Sequence, residues 1–492
     1  MPSLFRRTDV SQSSARSMAS RWAFGLMGSL SQGLTRFLYS VLIGRVLGAA
    51  TLASVNSALS LALFLSLLWP TSAGQAATRF VAQLRGEGRL DQAQAVANHL
   101  GRRMIATSLL LAVATVLGAV VVLHLDLSTA ICAGILLLGY AGWSFARGVQ
   151  YGAGQIARAA VWDVAGSVAA LVMLAVVLLL HAEPILLLPL ALGYGAYAVI
   201  CWPAPSSTPV DPALLPSMRR FVGYGVLGTL SSTGLLQLSM VSAQLAGSPQ
   251  DAGLYAAALS LATPATMLAR TGSQVLFPSM AEAGGRQDTA SLRRQTDLVT
   301  RGLSVSMLAV FGALALASPL VVHVLYGERF AGAEDILPVL LLAVMFTTLP
   351  VGAVNRLNAT GVRGVRFISF VAAGGLVLAI ILWVVLGPGL GVIGVAVGYL
   401  TASTLTSIGP LVVSWRQDRQ RWAGMMLRLV AGVALIVGGV LWSTAIRPPL
   451  WTGVVLAVVF VLVWALINVR DIKRLRSARA GTPVPDSTPA QP

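Results

Sequence analysis

Charge is what this sequence has least of. Of its 492 residues only 10% are Asp, Glu, Lys or Arg, while 56% are hydrophobic, and the mean hydropathy is +0.80. An ordinary soluble domain carries about a quarter charged residues. A chain with less than half of that cannot cover a water-facing surface, so the medium for most of it is lipid. A soluble multidomain enzyme and a disordered chain are excluded. Cysteine is almost absent: Cys132 and Cys201 are the only two. Both lie in apolar runs and read as small buried hydrophobes, which excludes a disulfide scaffold. Lysine is rarer still, because Lys473 is the only lysine among 34 basic residues.

Catalytic and nucleotide motifs are also missing. There is no Gly-Lys-Ser/Thr P-loop and no His-Glu-x-x-His or paired His/Cys spacing. The expectation is therefore no ATPase, no metal site and no cofactor. No outer loop is large enough for a transferase or polymerase site with paired carboxylates. The acidic run Glu328, Glu334 and Asp335 is short, surrounds Arg329 and reads as a solvated loop. The chain is not expected to be an enzyme. His124, His181 and His323 fall at span ends and read as interfacial.

What is present is a series of long apolar stretches. About fourteen of them approach the ~20 residues a helix needs to cross the hydrocarbon core. They run near 22–45, 50–77, 104–123, 127–147, 158–180, 184–202, 219–246, 253–279, 300–325, 335–355, 366–386, 390–414, 427–445 and 450–469. The runs are continuous rather than alternating, which favours helices over the short strands of a membrane barrel.

The arginines test this count. With the N-terminus inside, nearly every basic residue falls in an inner segment. Examples are Arg6 and Arg7, Arg102 and Arg103, Arg219 and Arg220, Arg293 and Arg294, and Arg419 and Arg421. Outer loops hold only Arg329 and Arg447. Positive residues resist translocation, so this bias predicts both termini in the cytoplasm. The formal charge of +17 is then mainly a topology signal suited to an anionic inner leaflet, and nucleic acid is not expected as a partner.

The predicted organisation is a cytoplasmic N-terminal segment (1–21), a six-helix bundle (22–202), a cytoplasmic Pro/Ser-rich linker (203–218), a second six-helix bundle (219–414), helices 13 and 14 (427–469) and a basic, disordered cytoplasmic tail (470–492). A weak internal repeat supports the pairing. Ser57-Ala58-Leu59-Ser60-Leu61-Ala62 in the second span returns as Ala257-Ala258-Leu259-Ser260-Leu261-Ala262 in the eighth. Six spans separate the copies, so both enter the membrane in the same direction. Parallel repeats of this kind place a substrate site between the halves, with alternating access by rocking.

Polar residues inside the spans are the candidate site. Arg36 lies mid-span in the first helix, Arg45 near its outer end and Arg270 inside the eighth span. A guanidinium at the bilayer centre costs about 2.5–3.5 kcal/mol on insertion scales, so it must face a cavity, a partner or an anion. One carboxylate, Asp163, lies within the spans and cannot neutralise all three. An arginine fork matches phosphate oxygens, so Arg36, Arg270 and Arg45 are candidates for holding a phosphate or pyrophosphate. The alternative is snorkelling or bonding to helix carbonyls, easiest for Arg45. Gln32, Asn56, Gln237, Gln244 and Gln274 are sugar-contact candidates or helix-to-helix ties. Asp163 is either a protonatable coupling site or an ion partner of Arg147 or Arg158. Pro70 and Pro264 interrupt the second and eighth spans, as gating bends or tolerated kinks.

The first span ends Ile43-Gly44-Arg45-Val46-Leu47-Gly48, and the second ends Ala77-Thr78-Arg79-Phe80-Val81-Ala82. This arginine-x-leucine-glycine followed by arginine-x-valine-alanine resembles the oligosaccharide and polysaccharide flippases of the MOP superfamily. That superfamily includes O-antigen flippases, lipid II flippases and, more distantly, the MATE drug exporters. The resemblance extends over essentially the whole chain through its topology. It implies an all-α integral membrane protein: two pseudo-symmetric six-helix bundles around a cationic cavity, plus two C-terminal helices. It also implies cavity arginines in spans 1, 2 and 8. Arg36 and Arg45 match the first of these and Arg270 the last, while Arg79 matches the second only at its inner end. Spans 1, 2 and 7 lack the coupling carboxylates usual in MATE exporters, a departure that speaks against drug export.

The function expected from this resemblance is translocation of a polyprenyl-pyrophosphate-linked oligosaccharide from the inner to the outer leaflet of a bacterial plasma membrane, for cell-surface polysaccharide such as lipopolysaccharide. The implied partners are that lipid-linked glycan and membrane lipids, with glycosyltransferases or a polymerase as further candidates. A cation-coupled multidrug exporter and a non-transporting scaffold of a polysaccharide synthesis complex are the alternatives.

Overall fold

A computed structural model describes residues 7–10, 18–264, 280, 288–359 and 362–479. Among them every extended element is helical, and the only β pairing is an isolated bridge between Thr8 and Pro203. The chain forms two compact units. Met1–Met267 joins Ala372–Tyr399 in the first, and Leu268–Val371 joins Leu400–Pro492 in the second. Ten helical segments among the described residues are long and apolar enough to cross a membrane.

The first unit begins with α1 (Met18–Leu47), α2 (Ala49–Ser66) and α3 (Pro70–Gly86). The break between α2 and α3 has a local cause. Pro70 has no N–H and a fixed φ, so it cannot continue a helix but can start one, and it occupies the first turn of α3. α4 (Leu90–Val121), α5 (Leu127–Gly152), α6 (Ile156–Leu179) and α7 (Leu188–Ile200) follow. Asp126 caps α5 by accepting from the Thr129 N–H at 2.9 Å. His124 and His181 adopt left-handed φ values of 52° and 53° just beyond the ends of α4 and α6, a conformation that stops a helix. α8 (Leu215–Thr229) passes through one π-helical turn, Leu230–Gly234, into α9 (Leu235–Ala246). α10 is helical over 249–264.

Small residues let these helices approach closely, the usual device in lipid, where apolar side chains gain nothing by leaving their surroundings. Gly74 on α3 crosses α5, where an added Cβ would stand 2.7 Å from the Ser144 carbonyl oxygen. Gly139 on α5 crosses α7, where a Cβ would stand 2.5 Å from the Ala191 carbonyl oxygen. Thr78 donates across the first crossing to the Gly148 carbonyl at 2.9 Å.

The Pro/Ser-rich segment 203–214 is not a loose tether. Gln92 donates to the Pro209 carbonyl at 3.1 Å and accepts from the Asp211 N–H at 2.9 Å. Asn98 donates to the Ala204 carbonyl at 2.7 Å, and Arg89 pairs with Asp211 at 2.8 Å. Proline supplies no competing donors, so the carbonyls of this strap are open to the amides on α4. The N-terminal residues join the same seam, with Thr8 Oγ1 donating to the Cys201 carbonyl at 2.7 Å.

In the second unit lie α11 (Thr289–Leu316), α12 (Ser318–Tyr326), α13 (Ala333–Thr348) and α14 (Val351–Ala359). α16 (Ala423–Ile446), α17 (Leu450–Ile467) and α18 (Val469–Arg479) complete it. The basic segment after α17 is thus helical through Arg479, and the reason is an ion-pair cluster. Asp471, 3% exposed, meets Arg301 at 3.0 Å and also Arg428. Arg301 further meets Asp297 at 2.8 Å, and Trp422 donates to Asp297 at 2.7 Å.

α15 (Val362–Gln417) is a helical hairpin. Gly391 breaks it with a φ of 56°. Within the first unit, Trp383 Nε1 donates to the Val395 carbonyl at 3.0 Å, and a Cβ on Gly398 would meet Trp383 at 2.8 Å. Within the second, Gly409 faces Val371 and Phe367. The chain therefore turns back at Gly391, and the apolar stretches 366–386 and 390–414 run antiparallel.

Candidate functional site

Two stripes at helical spacing build a polar seam in the first unit. On α1, Ser29, Gln32, Arg36 and Ser40 are three or four residues apart and share one face. On α5, Tyr140, Trp143, Arg147 and Tyr151 do the same. α6 supplies Asp163 and α7 supplies Tyr194 and Tyr197.

Toward the basic-loop side the seam is a closed ion pair. Asp163 is fully buried. Arg147 Nε donates to its Oδ2 at 2.9 Å, and Trp143 Nε1 donates to its Oδ1 at 2.7 Å. Gln32 Nε2 donates to the Asp163 carbonyl at 3.3 Å and reaches Oδ1 at 3.5 Å. Arg147 also donates to Tyr151 OH at 2.8 Å and Ser29 Oγ at 3.0 Å. Gly28 lies against this cluster, where a Cβ would be 2.7 Å from Asp163 Oδ2. A buried carboxylate is tolerable here because both oxygens are occupied and the opposite charge is in contact.

Arg36 sits above this pair under different conditions. Its Nε donates to Tyr194 OH at 3.1 Å. Its guanidinium carbon is 5.2 Å from the Tyr140 ring centroid and 5.9 Å from that of Tyr194. The two rings meet edge to face at 5.4 Å. Among the described residues no carboxylate pairs with Arg36. Rings and one hydroxyl hold its orientation without cancelling its charge. The seam carries one guanidinium that Asp163 neutralises and one that it does not.

The other sequence candidates divide clearly. Asn56 ties α2 to itself and to α1, donating to the Leu52 carbonyl at 3.1 Å and accepting from Ser40 at 3.3 Å. Arg45 is exposed in the last turn of α1, where a positive charge suits the helix dipole. Nine residues, about 14 Å of helix, separate it from Arg36. Gln237 and Gln244 are half-buried on α9. The Gln244 Oε1 atom is buried without a hydrogen-bond partner among the described residues. Arg79 is exposed and stacks on Phe221 at 4.8 Å. Arg270 and Gln274 lie outside the described residues.

Of the two ion partners that sequence reasoning offered for Asp163, Arg147 is the one in contact with it; Tyr140, Trp143, Tyr151 and Tyr194 were not singled out. A signal was available. The 3-4-4 spacing of Tyr140, Trp143, Arg147 and Tyr151 puts the aromatic-polar side chains and the arginine of a largely apolar helix on one face.

The family described as "Polysaccharide biosynthesis protein" matches residues 19–284. The fold is similar to that of a lipid II flippase, MurJ, in an inward closed conformation, with a TM-score of 0.65 at 13% identity, over 92% of this chain and 100% of that one. It is also similar to an inward-facing multidrug resistance MATE family transporter of the MOP superfamily, with a TM-score of 0.64 at 16% identity, over 83% of this chain and 96% of that one. A MATE transporter from Vibrio cholerae matches with a TM-score of 0.60 at 14% identity, over 81% of this chain and 96% of that one. At these identities the likeness is one of fold. No curated protein matches the chain in sequence.

Proposed function

The chain belongs to the polysaccharide biosynthesis protein family, and from that premise we propose that it is a flippase. It moves a polyprenyl-pyrophosphate-linked oligosaccharide from the inner to the outer leaflet of a bacterial plasma membrane. The observation that carries this reading is Arg36, oriented by Tyr194 and Tyr140 with no carboxylate against it among the described residues. A preoriented guanidinium inside an apolar helix bundle lowers the cost of drawing a pyrophosphate out of water. Arg270, and Arg45 at the far end of α1, are the further phosphate ligands in this proposal. Gln32, Asn56, Gln237, Gln244 and Gln274 are polar contacts along the sugar's path. Both termini are cytoplasmic, and the fourteen spans form two six-helix bundles and a final helix pair.

No covalent step is involved. The two bundles rock about the bound headgroup. An inside-negative potential favours outward movement of an anionic headgroup by about 2.3 kcal/mol per charge per 100 mV. Asp163 is paired with Arg147, so we assign it to holding the seam rather than to coupling. The same pairing counts against cation-coupled drug export, which needs a carboxylate available to the cargo or the coupling ion.

The test is a leaflet-protection assay with reconstituted full-length protein and a labelled polyprenyl-pyrophosphate sugar. Transport is expected in the wild type and lost in Arg36→Ala and Arg270→Ala. Wild-type rates in both variants sink the site assignment. No protection at all with wild-type protein, together with efflux of cationic drugs, replaces the reading with the exporter.

A further inference from the structure

Two neighbouring cavities in the first unit share His99 and Arg103. One, of about 200 Å³, is walled by Trp69, Leu100, Met218, Val222 and Val226, with Arg103 and Arg219 at its rim. The other, of about 390 Å³, is bordered by Asn98, Arg102, Ser206, Ser207 and Thr208. An apolar slot thus shares His99 and Arg103 with a cationic, hydroxyl-lined one.

Depth along the helices places this feature. Arg103 stands 18 residues before the end of α4 at Val121, about 27 Å of helix. Trp69 lies in the turn just past the end of α2 at Ser66, which stands 17 residues, about 26 Å of helix, beyond its start at Ala49. Both distances approach the thickness of the hydrocarbon core, about 30 Å. Two separate helices therefore put the apolar slot at the acyl boundary on the basic-loop side and the arginines at headgroup level. Tryptophan favours that boundary.

The charges point to an anion. Arg147, Arg301, Arg356 and Arg428 each meet an aspartate, and Arg89 meets Asp211. Among the described residues Arg102, Arg103 and Arg219 meet none. Arg102, Arg103 and His99 line the second cavity, which the strap 203–214, itself stapled to α4, borders, and Arg219 lines the first beside His99 and Arg103. The ordered strap gives the feature a fixed floor.

We propose that this paired cavity is a binding site for an anionic glycerophospholipid of the basic-side leaflet. Arg103 and Arg219 hold the phosphate, and one acyl chain enters the slot between Trp69 and Val226. Headgroup hydroxyls, as in phosphatidylglycerol, meet Asn98, Ser206 and Thr208. Guanidinium forks suit phosphate oxygens, and basic pockets between membrane helices at this depth select anionic headgroups. The site is independent of the transport reading, because none of its residues belongs to the Arg36 seam.

The experiment uses full-length protein in detergent micelles. Phosphatidylglycerol, phosphatidylcholine, inorganic phosphate or a polyprenyl pyrophosphate is added, and retained lipid is read by native mass spectrometry. Phosphatidylglycerol is expected to be retained and phosphatidylcholine not. The Arg103→Gln/Arg219→Gln variant should lose about thirtyfold in affinity, near fivefold for each basic residue at a surface of this kind. Val226→Trp fills the slot without changing charge and should also lose retention. Arg363→Gln/Arg366→Gln removes two exposed arginines elsewhere and should not. Equal retention in all variants overturns the proposal. So does equal loss in the Arg363/Arg366 control, which reveals bulk electrostatics. Displacement by millimolar inorganic phosphate overturns the role of the apolar slot. Preferential displacement by the polyprenyl pyrophosphate reassigns the cavity to transport substrate.

Discussion

Asp163→Asn tests whether the seam is held by charge or by shape. Asparagine keeps the volume and an acceptor for Trp143 Nε1, now 2.7 Å from Oδ1, but removes the negative charge against Arg147, now at 2.9 Å. Asp163 is fully buried, and the Arg147 side chain is 18% exposed. The variant leaves a guanidinium poorly hydrated and unpaired. Removing one partner of a buried pair costs about 3–5 kcal/mol. The remaining bonds of Arg147 to Tyr151 and Ser29 are to neutral oxygens and recover only part of this, so the lower end, about 3 kcal/mol, is expected. Arg147→Gln alone should cost a similar amount, since it strands the carboxylate. The double variant Asp163→Asn/Arg147→Gln has no stranded charge and should lie within about 1–2 kcal/mol of wild type, because a polar pair can replace an ionic one once both charges are gone. The assay is equilibrium unfolding in mixed detergent micelles, read as a double-mutant cycle. Single variants costing less than about 1 kcal/mol each, or a double variant equal to their sum, refute the claim that this ion pair holds the seam.

Tyr194→Phe deletes the acceptor for Arg36 Nε at 3.1 Å but keeps the ring, so transport should fall several-fold while folding changes by about 1–3 kcal/mol at most. A transport rate equal to wild type refutes an orienting role for the hydroxyl. Gly139→Ala drives a Cβ to within 2.5 Å of the Ala191 carbonyl oxygen and should cost about 1–3 kcal/mol by forcing α5 from α7, seen in the same unfolding assay. Gly86→Ala, with nothing within 4 Å, is the comparison. The hydrogen bond from Arg89, then that from the Ala213 N–H, holds the Asp211 carboxyl below the usual carboxylate range. A depressed folded pKa stabilises the strap above the unfolded value, near ~3.9, and that contribution disappears as pH falls through the folded value. Protease cleavage within 203–214 should therefore rise as pH is lowered below ~4 in wild type, and in Asp211→Asn be raised at neutral pH and independent of pH.

Much of the architecture was legible because hydrophobic length is a one-dimensional quantity. Apolar runs correspond to α5, α6, α16 and α17 within about five residues, whereas α4 begins 14 residues before the run 104–123 and α11 begins 11 residues before the run 300–325. The antiparallel pair in α15 was legible as two stretches, 366–386 and 390–414, although their turn needs only Gly391. The candidate site was legible in part. Arg36 announced itself as a charge within an apolar run, and Asp163 as the lone carboxylate among the spans. Arg147 was legible only as one of two alternative partners for Asp163, because it falls at the very end of the span 127–147 while α5 runs five residues further. Its partner is 16 residues away in sequence and on another helix. Tyr140 and Tyr194 are common residues near membrane interfaces, so only their convergence on Arg36 gives them meaning.

Sequence alone determined that the chain lives in lipid and that it is helical. Each of these follows from summed transfer energies that need no knowledge of contacts. Tertiary structure decided which charges are cancelled and which are not. Arg147 and Arg36 lie on stripes of identical spacing, yet one meets a carboxylate and the other two phenol rings. That difference arises from which helix packs against which, where an electrostatic energy falls off with distance through space and not along the chain.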